Sequence, residues 1–327
     1  MRNDRLGDAL LALPAAWSLH RHFPESRLIL WASPSAAPLV ACFEGIDRVI
    51  AGTDRESDPN LHNELAGLSV QSAYCLRPTL QNAITLWKAR IPNRIGTSRR
   101  WFSFLFTHRI NLTRRHSNHH ETDLNLDFLA SIGVKITTDF PQFNLPELAR
   151  MQVNGILSAA GVFSDKPLIL IHPGSGGSAR EWPPQHFKIL ADRLADASGA
   201  VIAVTGQSKE RAKCLTVTGD RHFNLCGELN LVQLAALISR AELLISNSTG
   251  PLHLAVALGR KVVGLYPPVR DCLPERWGPY GHPEWALMPN LPLCRKCKPG
   301  VISPCACMDA LLPQKVFERA MHNLDAG

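Results

Sequence analysis

The chain has 327 residues, 45% of them apolar and 19% charged, which suits a globular protein of two domains rather than one core. No apolar run approaches the roughly 18 residues a membrane-spanning helix needs. Met1-Arg2-Asn3-Asp4-Arg5 lacks the apolar stretch of a secretory signal, so the expected location is cytoplasmic. Nine cysteines without such a signal argue against a disulfide framework, and the formal charge of +7 favours anionic partners.

Arg5-Leu6-Gly7-Asp8 introduces a helix from Ala9 to Phe23, apolar at Ala9, Leu10, Leu13, Ala16 and Trp17, which Pro14 should kink. Strands over Arg27–Trp31, Asp47–Ile50, Ala73–Leu76 and Asn93–Gly96 alternate with helices over Ala36–Phe43 and Thr79–Lys88. Such alternation predicts a parallel sheet covered on both faces.

Residues 65–120 hold no Asp or Glu, yet carry Arg77, Lys88, Arg90, Arg94, Arg99, Arg100, Arg109, Arg114 and Arg115. Nucleic acid, acidic lipid headgroups and acidic glycans all suit that field. Stacking residues for single-stranded nucleic acid are sparse outside Trp101, Phe102, Phe104 and Phe106. Those four read as the packed face of a helix rather than a membrane wedge.

A helix over Glu121–Ile132 and an extended crossing at Pro141–Leu145 close a first domain, 1–145. The second, 146–327, opens with a helix over Ala149–Ala160. Its strands at Leu168–Ile171, Val201–Thr205, Leu243–Ser246 and Lys261–Leu265 alternate with helices beginning near Pro184, Lys209, Asn230 and Pro251, and a last helix covers Pro313–Leu324. Ligands of such sheets sit at the carboxyl ends of the strands.

Two turns at those ends draw the eye. After Leu243–Ser246 come Asn247-Ser248-Thr249-Gly250-Pro251, where Pro251 suits the first helical turn, Ser248 or Thr249 can cap the amides, and Gly250 permits close approach. The bare start of that helix makes an anion site, although an ordinary capped helix reads equally well. After Leu168–Ile171 come His172-Pro173-Gly174-Ser175-Gly176-Gly177-Ser178-Ala179-Arg180-Glu181-Trp182-Pro183. The amides of Ser175 to Gly177 and the Arg180 guanidinium make a second anion-friendly turn. Two such turns suggest one ligand with two phosphates, although the Walker and dinucleotide spacings are absent. His253 could donate to a phosphate or serve as a core histidine. Glu210 could accept from ribose hydroxyls or sit solvated at a helix start.

The runs Thr205-Gly206-Gln207-Ser208-Lys209-Glu210, Asn224-Leu225-Cys226-Gly227 and Asn247-Ser248-Thr249-Gly250-Pro251-Leu252-His253-Leu254-Ala255 resemble glycosyltransferase family 9, the bacterial lipopolysaccharide heptosyltransferases. The resemblance covers nearly the whole chain. It implies an α/β GT-B fold, with two Rossmann-like domains whose parallel sheets face across a cleft. It also implies a nucleotide-diphosphate-sugar donor (typically ADP-heptose), inversion at the anomeric carbon, and neither catalytic metal nor cofactor. The first domain would bind the acceptor and the second the donor.

By position Asp8 is a plain helix-start acid; the resemblance makes it the base that deprotonates the acceptor hydroxyl, with Asp4 as its nearest rival. Arg180, ahead of Trp182-Pro183 as in the family, would steady the departing diphosphate. Ser175, Gly176, Gly206, Glu210, Ser248, Thr249, Gly250 and His253 would bind the donor, and Arg99 and Arg100 the acceptor. No Asp-x-Asp pair occurs to clamp a divalent metal. The implied partners are the nucleotide sugar, an anionic lipid-linked saccharide and the cytoplasmic face of the inner membrane, and not nucleic acid.

Two departures stand out. The family begins with an apolar strand before its Arg-x-Gly-Asp turn; Met1–Asp4 are not expected to supply it, so either the true start lies upstream or the first strand is missing. The family also carries Asp where this chain has Ser248, which leaves the donor open and sustains an alternative: a nucleotide-sugar-binding protein that has lost catalysis. A nucleic-acid-binding reading, by the basic segment and a zinc knuckle, is weaker still. Cys294-x-x-Cys297 and Cys305-x-Cys307 fit either a structural zinc or reduced loop cysteines.

Overall fold

The structure, a computed structural model, describes residues 1–52, 61–114, 119–137, 142–159, 161–162, 166–177, 179–294 and 306–325. The chain divides into two compact units, Met1–Asn144 and Leu145–Gly327.

In the first unit, α1 (Leu6–Leu10) and α2 (Leu13–His22) replace the single kinked helix. Pro14 has no N–H to continue the first helix, so it sits in the first turn of the second. There follow β1 (Ile29–Ala32), α3 (Ala37–Val40), β2 (Arg48–Ala51), α4 (Leu61–Gly67), β3 (Ser72–Tyr74), α5 (Leu80–Lys88), β4 (Asn93–Thr97), β5 (His108–Ile110) and α6 (Glu121–Ala130). The Thr79 side chain caps α5 by accepting from the Asn82 amide at 3.2 Å. β5 escapes a pattern search because it is a short edge strand, two of whose three residues, His108 and Arg109, are exposed.

All strands are parallel but form two sheets, β1-β2 and β3-β4-β5. Met1–Asn3 lies between them and forms one isolated bridge rather than a strand. The Arg2 amide donates to the Trp31 carbonyl at 3.0 Å and Arg2 pairs in parallel with Ala32. On the other side the Met1 amine donates to Tyr74 at 2.8 Å, and the Leu76 amide donates to Met1 at 3.2 Å. Beyond this stub, a cavity of about 510 Å³ separates β1 from β3. Leu28–Trp31 and Ser72–Tyr74 line its two sides, with Ala15 and Leu19 from α2 and Leu65 from α4 also in the wall.

The second unit runs α7 (Glu147–Ala159), β6 (Leu168–His172), α8 (Pro184–Ser198), β7 (Val201–Val204), α9 (Arg211–Thr218), β8 (Phe223–Asn224), α10 (Leu231–Ile238), β9 (Leu243–Asn247), α11 (Gly250–Ala257), β10 (Lys261–Leu265), α12 (Pro274–Trp277), β11 (Ala286–Leu287), α13 (Ala306–Asp309) and α14 (Pro313–Asp325). Its single parallel sheet has the order β11-β10-β9-β6-β7-β8. β6 and β9 are central and buried at every residue, which is why they read as unbroken apolar runs. Asn230 and Gln233 form a reciprocal capping box at the start of α10. Trp182, wholly buried, packs in the core with Phe187 and Leu190, and its indole N–H donates to Leu311 at 2.7 Å.

Candidate functional site

The register of the second sheet sets the site. His172 pairs with Ser246, Leu265 with Asn247, and Ile171 with Val204. Four strands therefore end level, and the segments 173–183, 205–210 and 248–250 leave the sheet side by side.

Hydrogen bonds sew these segments together. Asn247, fully buried at the end of β9, accepts the Trp182 amide at 2.9 Å and donates to the Pro173 carbonyl at 2.7 Å. It thus grips the Arg180 loop at both ends. Glu210 joins that loop to the next: Oε1 accepts the Gly176 amide at 3.3 Å and Oε2 the Gln207 amide at 2.9 Å. Gly174 makes this possible, because a Cβ there would lie 2.1 Å from Glu210 Oε1. Glu181 accepts the Ser175 amide at 2.8 Å and pairs with Lys213. The Gly177 amide donates to Ser175 Oγ at 3.2 Å. The amides of Ser175 to Gly177, expected to face an anion, thus point at Glu181, Glu210 and Ser175 in this structure.

His172 stacks no charge on the site. Its Nδ1 meets Thr205 Oγ1 at 3.0 Å, and burial pushes the imidazole down to about 4 against the opposing pull of Glu210. It is neutral at physiological pH.

α11 begins at Gly250 with Pro251 in its first turn and Thr249 at the N-cap position. The expected side-chain cap by Thr249 is not made: its Oγ1 pairs instead with Ser246 Oγ at 2.9 Å. The start of the helix is therefore dressed by backbone rather than by a side-chain oxygen, which leaves its positive end the character of an anion site. Ser248 anchors sideways, its amide donating to Leu265 at 3.1 Å and its side chain bonding Tyr266. Arg180, Ser175, Thr249 and His253 are all buried, whereas Gly176 is exposed and Gly206 and Gly250 are half-buried. A Cβ at Gly206 would lie 2.8 Å from Cys214 Sγ. Sequence reasoning missed Asn247, Glu181 and Lys213 as members of this cluster. Only a polar residue closing an apolar strand hinted at Asn247.

Asp8 lies in the other unit, in the first turn of α1. Its Oδ1 accepts from Arg2, which also reaches Asp4 at 3.0 Å and Glu121 at 2.9 Å. Arg77 adds a bond to Asp4 at 2.8 Å, and Arg114 binds Glu121 and, at 2.8 Å, Asn125. Three guanidinium groups thus balance three carboxylates. Burial alone would depress the Arg2 pKa, but Asp4, Asp8 and Glu121 more than offset it and hold the guanidinium charged. Burial pushes the Asp8 carboxyl up, opposed by Arg2. Asp4 spends one oxygen on Arg2 and the other on Arg77.

Arg99 and Arg100 are exposed, and Arg99 Nε donates to Asn111 at 3.1 Å. Cys297 and Cys305 lie outside the described residues. Among the described residues no cluster of His, Cys, Asp or Glu is arranged for a metal ion, and no helix is long and apolar enough to cross a membrane.

Known proteins share this architecture. The family model for glycosyltransferase family 9 (heptosyltransferase) matches residues 61–298. Lipooligosaccharide heptosyltransferase 2 of Campylobacter jejuni is 24% identical over 326 residues, covering 96% of this chain and 94% of its own. Among solved structures, a family 9 glycosyl transferase of Veillonella parvula aligns with a TM-score of 0.83 at 22% identity, covering 98% of this chain and 95% of that one. ADP-heptose lipopolysaccharide heptosyltransferase II of E. coli aligns at 0.79 and 21% identity, covering 99% and 97%. The fold they share with this chain is GT-B.

Proposed function

Because this chain belongs to glycosyltransferase family 9, the heptosyltransferases of lipopolysaccharide biosynthesis, we propose that it moves heptose from ADP-heptose to a lipid-linked, anionic core saccharide, with inversion and without a metal. The observation that carries the donor half is the Asn247-gripped loop of Arg180, which leaves its strand next to the turn that starts α11. A buried guanidinium and a helix N-terminus are two fixed positive ends at neighbouring strand termini, suited to a diphosphate.

In this reading Asp8 accepts the proton of the acceptor hydroxyl as its oxygen attacks the anomeric carbon, and the bond to the diphosphate breaks on the opposite face. Arg180 and the Ser248–Gly250 turn, with His253, take up the charge that develops on the leaving group, while the Ser175 and Gly176 amides stay bound to Glu181 and Glu210. Glu210 acts mainly by fixing the Gly176 and Gly206 turns against each other, since both its oxygens already hold amides. Arg99 and Arg100 meet the acidic acceptor at the cytoplasmic face of the inner membrane. Fixed cations and dipoles take the place of a metal clamp, in keeping with a sequence that has no Asp-x-Asp pair.

A thermal-shift series with ADP, UDP, GDP and CDP, each with and without EDTA, tests the donor. ADP alone should raise the melting point, equally in EDTA. A shift with a different diphosphate, or one abolished by EDTA, contradicts the proposal.

A further inference from the structure

The four aromatic residues read from sequence as one packed face divide in the structure. Phe102 and Phe106 are buried in a cluster with Leu86 and Ala83 of α5. Trp101 and Phe104 are 76% and 62% exposed. The difference is geometric: Ser103–Leu105 is a 3₁₀ turn, whose three-residue period cannot put four closely spaced aromatics on one side.

That turn packs against α5, and α5 adds an apolar stripe of its own. Leu80, Ile84 and Trp87 are spaced by four and three residues and so share one helix face, away from the buried Ala83 and Leu86. Trp87 is 54% exposed and Leu80 36%. Exposed cations surround these residues in the chain: Lys88, Arg90, Arg99, Arg100 and Arg109. No acid lies between residues 65 and 120.

We propose that this face of the first unit is a seat for an anionic lipid bilayer, with Trp87, Trp101 and Phe104 entering the interface and the flanking cations meeting lipid phosphates. Tryptophan and phenylalanine beside Lys and Arg are the side chains that partition to the headgroup level, and each cation near an anionic surface adds electrostatic attraction. Aliphatic Leu80 and Ile84 favour this occupant over nucleic acid, because they gain from acyl chains but offer no stacking surface to bases. The inference rests on the reading of a lipid-linked acceptor and adds the residues that hold the protein at its membrane.

Sedimentation of the full chain with vesicles tests it, using phosphatidylcholine alone or mixed with phosphatidylglycerol. The wild-type chain should pellet with the phosphatidylglycerol vesicles, less so at high salt, and stay in solution with phosphatidylcholine. The double substitution Trp101→Ser with Phe104→Ser should weaken pelleting by about tenfold or more, and Lys88→Glu should weaken it further. All variants should keep the wild-type melting point and its shift by ADP, because these side chains lie outside the core and the donor turns. Equal pelleting of wild type and double variant overturns the proposal, as does no pelleting of wild type, or tighter binding to single-stranded RNA than to the vesicles. Loss of the ADP shift with vesicle binding intact would instead overturn the donor reading alone.

Discussion

Truncating Asn247 to alanine should loosen the whole donor loop. The side chain is fully buried and makes two hydrogen bonds, one from the Trp182 amide and one to the Pro173 carbonyl, so Asn247→Ala orphans a donor and an acceptor in the interior. Each orphaned group costs about 1–3 kcal/mol, giving roughly 2–6 kcal/mol together before relaxation. For a unit of this size about 2–4 °C of melting temperature goes with each kcal/mol, so a drop of roughly 5–20 °C is expected by calorimetry. Asn247→Asp keeps an acceptor for Trp182 but sets a second acceptor against the Pro173 carbonyl, so it should also melt early, and less so as the carboxyl is protonated in acid. Both variants should lose most of the shift produced by ADP, since Arg180 lies between the two anchored ends. An Asn247→Ala chain that melts with the wild type and responds fully to ADP would refute the view that this residue holds the site.

Acid should weaken the second unit through His172. Burial holds its folded pKa at about 4, below the ordinary imidazole value of 6.5, so its contribution is fully present above pH 6.5 and is lost as pH falls towards 4. The gap corresponds to at most about 3 kcal/mol. Urea unfolding between pH 7 and 4 should show this slope in the wild type and a flatter one in His172→Gln.

Much of the second unit was legible because its central strands are buried on both faces and so appear as Leu168–Ile171 and Leu243–Ile245 without interruption. The helix starts near Pro184 and Asn230 were legible too, and the structure shows the local chemistry behind them: Pro184 in a first helical turn and the Asn230–Gln233 capping box. The first unit was harder to read. Arg2 meets Asp4, Asp8 and Glu121, Arg77 meets Asp4 and Arg114 meets Glu121 only after folding, from positions up to 119 residues apart, and no local spacing encodes that. Thr249 failed as a cap because Ser246, buried on the preceding strand, competes for its hydroxyl. Trp101 and Phe104 were misplaced because a helical period was assumed where the chain takes a 3₁₀ turn.

The most direct measurement is transfer itself, with ADP-heptose and heptose-free lipopolysaccharide as substrates in the presence of EDTA. The wild-type chain should release ADP and form a glycoside whose anomeric configuration, read by NMR, is inverted. Asp8→Asn should slow turnover by about 10²–10⁴-fold while leaving the melting shift with ADP unchanged. Retained configuration, a requirement for metal, or an Asp8→Asn chain as fast as the wild type would contradict the proposed mechanism.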